Sequence, residues 1–244
     1  MRGIGTVVNV GTVLVGALAG LALGRRLSDR LRSTVLSGVG LLTLVIGVQE
    51  ATKTRNVVFP LVALIAGAVV GEALRIEDRL EGFGQRIRRR FEPPDRDPEG
   101  SEDEADRPPS TFVEGFVTAS LIFCVGPLTV LGSIRDGLGG PDHAQLLFVK
   151  SALDGLVSIV FAAALGWGVG FSVLSIVAVQ GTVTLLAGVA DRVLTDRMIA
   201  EMSATGGVMI LGIGLRLLDL KAVRVASFLP ALLLAPLLVA LFAR

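Results

Sequence analysis

The stretch SLIFCVGPLTVLGS at residues 120–133 is almost entirely apolar, yet it carries a Gly-Pro pair at its centre. Proline lacks the backbone N–H and clashes with the preceding turn, so it kinks or breaks a helix. Backbone groups that such a break leaves unpaired cannot face lipid, and must face protein or a water-filled cavity. The stretch therefore predicts a broken membrane helix and a polar site close to Gly126 and Pro127.

The composition of the whole chain supports this interpretation. Of its 244 residues, 52% are hydrophobic and 18% are charged, and the mean hydropathy is +0.71. Soluble domains usually carry about 25% charged residues. A net charge of +1 gives no reason to expect a nucleic-acid partner. One cysteine and one histidine exclude an internal disulfide and a multi-histidine metal site. No cofactor is expected, and metal binding is left undecided.

Eight segments are apolar enough to approach the length of about 20 residues that a spanning helix needs. They cover residues 4–24, 35–50, 57–74, 112–134, 147–165, 171–190, 203–218 and 225–242. The fifth and sixth are nearly continuous, and GWGVG at 166–170 predicts a tight turn between them. The sequence therefore predicts an all-α polytopic membrane protein with one transmembrane domain of about eight helices.

Basic residues predict how these helices are oriented. With eight spans, one side of the membrane holds four arginines within 25–32, eight between Arg75 and Arg107, and then Arg216, Lys221 and Arg224. The side with more basic residues is expected to face the cytoplasm of this cell (inner) membrane protein. Both termini are then expected on the opposite, outer side. A cleaved signal peptide is disfavoured because RRLSDRLR follows the first span at once.

The one long loop, 75–111, falls on this cytoplasmic side. Its first part, RIEDRLEGFGQRIRRRF, can form a basic amphipathic helix, and its second part, EPPDRDPEGSEDEADRPPS, has the composition of a disordered linker. An ordinary cytoplasmic flank explains the basic part. The sharper hypothesis is contact with anionic lipid headgroups through Arg86, Arg88, Arg89 and Arg90.

An internal repeat relates the two ends of the chain. GTVLVGALAG at 11–20 resembles GTVTLLAGVA at 181–190, SGVGLLTLVIGVQ at 37–49 resembles ATGGVMILGIGLR at 204–216, and FPLVALIAG at 59–67 resembles LPALLLAPL at 229–237. Five spans separate the starts of the two units, so they cross the membrane in opposite directions. This predicts an inverted three-helix repeat (1–74 and 171–244) around two central helices (112–165), although chance similarity of glycine-rich apolar helices is the alternative.

Polar residues inside the spans are the candidate site. Asp154 lies about 10 Å into its span, four residues after Lys150, so both share one helix face. Intramembrane charges are costly and usually face the interior. The alternative is an ion pair near the outer surface, with Lys150 reaching towards water.

Neutral groups complete the predicted site. Ser158 continues the face of Asp154, Asn9 and Gln180 each precede a matched Gly-Thr pair, and Thr182, Ser120 and the carbonyls freed at Gly126–Pro127 add further ligands. These groups could bind an ion or polar solute, or simply link helices by hydrogen bonds. Glu50, Glu72 and Glu114 lie near span ends and are interpreted as flanking residues.

The sequence also resembles a known family. NVGTVLVGALAGLALG, FVTASLIFCVGPLTVLGSIRDGL, KSALDGLVSIVFAAALGWGVGFS and QGTVTLLAG are similar to the YqgA/YdfK-like bacterial membrane proteins, a domain of unknown function (554). The resemblance covers essentially the whole chain. It implies a multispan inner-membrane protein, often with a transport description, and supplies no substrate or catalytic residue.

Together these features predict transport of an ion or small polar solute. The alternative is a non-transporting membrane partner or regulatory subunit. No HExxH, GxSxG or P-loop motif is present, so an enzyme is not expected. The expected partners are the lipid bilayer and an ion or small solute, and the chain could form a homo-oligomer.

Overall fold

The structure is a computed structural model of the chain and describes residues 2–24, 28–79, 82, 111–125, 127–139 and 142–242. Within these ranges the chain is helical and contains no β-strand. The all-α polytopic fold predicted from the sequence is confirmed. Most of the loop 75–111 lies outside the described residues, including Arg86, Arg88, Arg89 and Arg90, and so does Gly126.

The described helices follow one another along the chain with short connections. In chain order they are α1 (Ile4–Gly24), α2 (Asp29–Ala51), α3 (Val58–Ala73), α4 (Thr111–Cys124), α5 (Pro127–Leu138), α6 (Gln145–Leu165), α7 (Gly168–Ile176), a π-helical turn (Val177–Gly181), α8 (Thr182–Leu185), α9 (Ala187–Val193), α10 (Asp196–Leu217), a 3₁₀ turn (Val225–Phe228) and α11 (Ala231–Phe242).

Six helical segments of the described chain are long and apolar enough to cross a membrane. They are Ile4–Gly24, Ser33–Ala51, Gln145–Leu165, Gly168–Leu185, Asp196–Leu217 and Val225–Phe242. The bent pair α4–α5 raises the number to seven if it is one span. Helix α3 is apolar but has 16 residues, fewer than the about 20 of an ordinary span. The eighth span therefore depends on α3, and the number eight stays a prediction.

The continuous apolar run 147–190 folds back on itself as predicted. Helix α6 ends at Leu165 and α7 begins at Gly168. Gly166 between them has φ +81°, a conformation that glycine adopts without steric cost. The turn therefore lies at the start of GWGVG.

Contacts between helix ends show which ends of α2, α4 and α10 lie on the same side of the bundle. At one end of the bundle, Arg216 Nε at the end of α10 lies 3.8 Å from Glu114 Oε1 at the beginning of α4. At the opposite end, Glu201 near the beginning of α10 accepts a hydrogen bond from Thr54 in the α2–α3 connection. The first end also carries Arg30, Lys221 and Arg224, and we call it the basic end. The basic segments assigned to one side of the membrane thus lie at one end of the bundle wherever they are described.

The matched glycines of the two repeat units pack against the opposite unit. A Cβ at Gly40 of α2 would lie 2.8 Å from Leu218 Cγ, and one at Gly207 of α10 would lie 2.2 Å from the backbone nitrogen of Ala51. Gly47 and Gly214 are close to Leu211 and Leu44 in the same reciprocal way. An inverted repeat predicts such an antiparallel exchange of equivalent contacts. The contacts support the repeat, which itself stays a prediction together with its unit boundaries.

Small residues let α1 approach α6 closely. A Cβ at Gly16 would lie 2.3 Å from the carbonyl oxygen of Gly155, and one at Gly20 would lie 2.2 Å from that of Ile159. Close approach through small residues is a common way to pack membrane helices. This contact brings the polar N-terminal half of α1 against the middle of α6.

Candidate functional site

The predicted break in the fourth span is present. Helix α4 ends at Cys124, α5 begins at Pro127, and the two axes differ in direction by 62°. Proline is well suited to the first turn of a helix because that turn needs no N–H from it. The carbonyl oxygen of Phe123, near the end of α4, accepts a hydrogen bond of 3.0 Å from Thr129 Oγ1. The protein therefore satisfies this carbonyl itself, and the ligand role of the carbonyls at Gly126–Pro127 stays a prediction.

Three of the predicted site residues meet in the interior, together with Lys150. Lys150 and Asp154 form an ion pair, and Asn9 Nδ2 donates to Asp154 Oδ2 at 3.0 Å and to Gln180 Oε1 at 3.2 Å. These four side chains, from α1, α6 and the π-helical turn, are called the central polar cluster. Asn9 and Gln180 are fully buried, and Lys150 and Asp154 are 5% and 7% exposed.

The position of the ion pair separates the two interpretations of Lys150 and Asp154. Asp154 is the tenth residue of the 21-residue helix α6, so it lies near the middle of the span. Lys150 does not extend to the surface, because only 6% of its side chain is exposed. Its ammonium lies 6.0 Å from the centre of the Phe123 ring, at the outer range of a cation–π contact. The pair is thus an interior pair and not a surface pair.

The span that contains the π-helical turn directs Gln180 and Thr184 inward. Gln180 lies in the turn and Thr184 follows four residues later, and both are buried. Thr182 lies between them and is exposed on the outer surface of the bundle. Residues two apart in a helix point in different directions, whereas residues four apart share a face. The structure therefore places Thr184, and not Thr182, towards the interior.

Two amide atoms of the central polar cluster stand out. Asn9 Oδ1 and Gln180 Nε2 are buried, and neither has a hydrogen-bond partner within the described ranges. One is an acceptor and the other is a donor. Buried polar groups are nearly always hydrogen-bonded, so such a pair marks a place where polar ligand atoms would be stabilised.

A second polar group ties the beginning of α1 to α5. The carboxylate of Asp136 accepts hydrogen bonds from the backbone nitrogens of Gly5 at 3.2 Å and Thr6 at 3.1 Å. Thr6 Oγ1 also lies 3.1 Å from Thr184 Oγ1. Asp136 thus caps the N-terminus of α1 from a distant part of the chain, and it was missed because an acid near a span end reads as a flanking residue.

The remaining predicted site residues join helices elsewhere. Ser158 Oγ donates to the carbonyl oxygens of Gly155 at 2.8 Å and Val13 at 3.2 Å. Ser120 Oγ lies 2.8 Å from Ser175 Oγ, between α4 and α7. Both hydroxyls therefore stabilise helix packing in this state and lie outside the central polar cluster.

Carboxylates near the helix ends are bound to the protein rather than free in the flanks. Glu201 is fully buried and accepts from Thr54 Oγ1 at 2.6 Å and from the backbone nitrogens of Arg55 at 2.8 Å and Asn56 at 3.1 Å. At the basic end, Arg216 lies between Glu77 at 3.5 Å and Glu114 at 3.8 Å. These groups hold together the two ends of the bundle.

Metal ligands are not grouped in the part of the chain that is described. No set of three His, Cys, Asp or Glu side chains there could hold a metal ion. The central polar cluster contributes one carboxylate and two amides beside a lysine. These groups suit the binding of a polar organic group, or a rearrangement of the ion pair, better than the binding of a resident metal.

The fold and this interior ion pair define a polytopic helical membrane protein with a polar centre. The family described as "Protein of unknown function (DUF554)" matches residues 4–240, and the chain belongs to it. It is 30% identical over 232 residues to "Uncharacterized protein YqgA" of Escherichia coli (strain K12), covering 95% of this chain and 94% of that protein.

A second relative carries a more specific name. The chain is 26% identical over 239 residues to "Uncharacterized membrane protein YdfK" of Bacillus subtilis (strain 168), covering 96% of this chain and 95% of that protein. No solved structure matches the chain. The family predicted from the sequence is confirmed.

Proposed function

We propose that this protein transports a small polar solute or an ion across the membrane, and that the central polar cluster binds it. The observation that carries the proposal is the Lys150–Asp154 pair in the middle of α6, joined by two amides that retain an acceptor and a donor without a partner among the described residues. Charged groups inside a membrane protein are expensive and usually mark a pathway. In this proposal the protein has no catalytic role.

Two backbone features beside the cluster support the proposal. The span that carries Gln180 contains a π-helical turn, and the span α4–α5 is broken at its centre. π-Helical turns occur often at functional sites, and broken helices line the substrate sites of many transporters. Both features make local rearrangement easier than a regular helix would.

The reciprocal packing of α2 and α10 fits the same proposal. Alternating access in transporters with inverted repeats rests on two units of opposite direction that exchange equivalent contacts. The contacts of Gly40 with Leu218 and of Gly207 with Ala51 have this form. The central polar cluster contains Asn9 of the first unit and Gln180 of the second.

We further propose that the protein lies in the cell membrane with its basic end in the cytoplasm and both termini outside. The positive-inside rule supports this orientation. Single cysteines at positions 29 and 221 in a Cys124→Ser background should react with a membrane-impermeant thiol reagent only from the cytoplasm, and those at 2 and 142 only from outside. Labelling of 29 and 221 from opposite sides would contradict the orientation.

Flux measurements on the purified full-length chain in liposomes test the transport proposal. A panel of labelled inorganic ions and small polar solutes should include at least one whose uptake exceeds that of protein-free liposomes. We expect Asp154→Asn to abolish this uptake, since it removes the negative charge of the ion pair while retaining an acceptor for Lys150.

Two further variants make the test specific. Gln180→Met leaves the ion pair intact and should also lower the uptake, and it covers the case in which Asp154→Asn does not fold. Asp78→Asn removes an exposed carboxylate that pairs with Arg224 at the basic end, and it should transport normally. Normal uptake by folded Asp154→Asn and Gln180→Met proteins would contradict the assignment of the site.

A further inference from the structure

We infer that the solute bound by the central polar cluster is a small zwitterion of the amino-acid type, its ammonium group paired with Asp154 and its carboxylate with Lys150. This inference rests on the proposed function and specifies the substrate class of the same site. It follows from the charge balance of the cluster and from the chemistry of its unpartnered atoms.

The charges of the central polar cluster balance each other. Lys150 and Asp154 are both buried, carry opposite charges and pair with each other, so the cluster has no net charge in this state. A buried charge without a partner is strongly destabilising. A lone cation at Asp154 would displace Lys150 and leave its charge uncompensated, and a lone anion at Lys150 would do the same to Asp154. A zwitterion offers a partner to both and keeps the site neutral.

The unpartnered atoms of the cluster also fit a solute with one positive and one negative group. Asn9 Oδ1 is a free acceptor on the residue that is hydrogen-bonded to Asp154, and it can accept from an ammonium group. Gln180 Nε2 is a free donor, and it can donate to a carboxylate. Each charged group of the solute would thus gain one charged and one neutral partner. A bare cation would not use the free donor, and a bare anion would not use the free acceptor.

A transport assay that compares zwitterions with ions in the same liposomes tests this inference. The purified full-length chain is reconstituted, and uptake of each labelled common amino acid is measured beside uptake of labelled sodium, potassium and chloride. We expect uptake of at least one amino acid, with ion uptake equal to that of protein-free liposomes. Two analogues of that amino acid serve as competitors, an amine that lacks its carboxylate and an acid that lacks its ammonium group. Each should compete for uptake about 30-fold less well than the amino acid, because each leaves one member of the ion pair without a partner.

The variants separate binding chemistry from folding. Gln180→Met keeps the Lys150–Asp154 pair, and it should raise the KM for the amino acid more than it lowers kcat, whereas Asp78→Asn should change neither. Competition by the amine or the acid that is as strong as that of the amino acid itself would overturn the inference of a zwitterionic solute. Uptake of an ion without any amino acid would overturn it too and leave the transport proposal standing. Absence of uptake in every arm would overturn both.

Discussion

Replacing Lys150 with methionine is expected to lower the free energy of unfolding by about 3–5 kcal/mol. The substitution keeps most of the side-chain volume but leaves the carboxylate of Asp154, which is 7% exposed, without its cationic partner. The remaining hydrogen bond from Asn9 Nδ2 compensates only part of this loss. Unfolding of the purified protein in mixed micelles by increasing fractions of a denaturing detergent, followed by circular dichroism, measures the difference.

A paired substitution separates the loss of the ion pair from the loss of a side chain. In Lys150→Met/Asp154→Leu no charge remains, and stability should return to within about 1 kcal/mol of the original protein, since apolar residues often replace a buried pair without cost. The same double variant should be inactive in transport. Lys221→Met removes an exposed lysine and should change stability by less than about 0.5 kcal/mol. Equal stabilities of Lys150→Met and Lys221→Met would show that the pair is not a buried interaction.

Replacing Glu201 with leucine is expected to cost about 3 kcal/mol and to loosen the α2–α3 connection. The fully buried carboxylate of Glu201 accepts hydrogen bonds from Thr54 Oγ1 and from the backbone nitrogens of Arg55 and Asn56. Leucine accepts none, so Thr54 Oγ1 and the backbone N–H of Arg55 lose this partner, and the N–H of Asn56 keeps only its hydrogen bond to Thr54 Oγ1. Cleavage by trypsin after Arg55 should become faster, and the unfolding measurement described above gives the change in stability.

A graded pair of controls accompanies this prediction. Glu201→Gln retains one carbonyl oxygen for the two backbone donors, and it should cost about 1 kcal/mol. Asp219→Asn alters an exposed acid in a left-handed conformation that asparagine tolerates, so neither stability nor cleavage should change. Trypsin cleavage after Arg55 that is no faster in the Glu201→Leu variant than in the original protein would contradict the role of Glu201 in holding the α2–α3 connection.

The centre of the site could be predicted because polar side chains are rare in apolar spans. Asp154, Asn9 and Gln180 lie in largely apolar spans, and the cost of burying such groups predicts that they share partners. The Gly-Pro break and the turn at Gly166 were equally visible, since both depend on local backbone chemistry. These predictions needed only the neighbouring residues along the chain.

Features that depend on distant parts of the chain could not be predicted in this way. Asp136 and Glu201 look like flanking acids in the sequence, and only the fold shows that they cap α1 and the α2–α3 connection. The π-helical turn has no recognisable signal in the sequence, and the Gly-Thr match between the repeat units favoured Thr182, whereas Thr184, four residues after Gln180, faces inward. The number of spans depends on the 16-residue helix α3, whose length is marginal.

The cap that Asp136 places on α1 links two parts of the molecule mechanically. Helix α5 begins at the break after α4 and can rotate about it more easily than a continuous helix. The carboxylate of Asp136 on α5 holds the first turn of α1. Asn9 lies one turn further along α1 and donates a hydrogen bond to Asp154. Asp136 therefore connects the broken span to the ion pair through a single turn of α1.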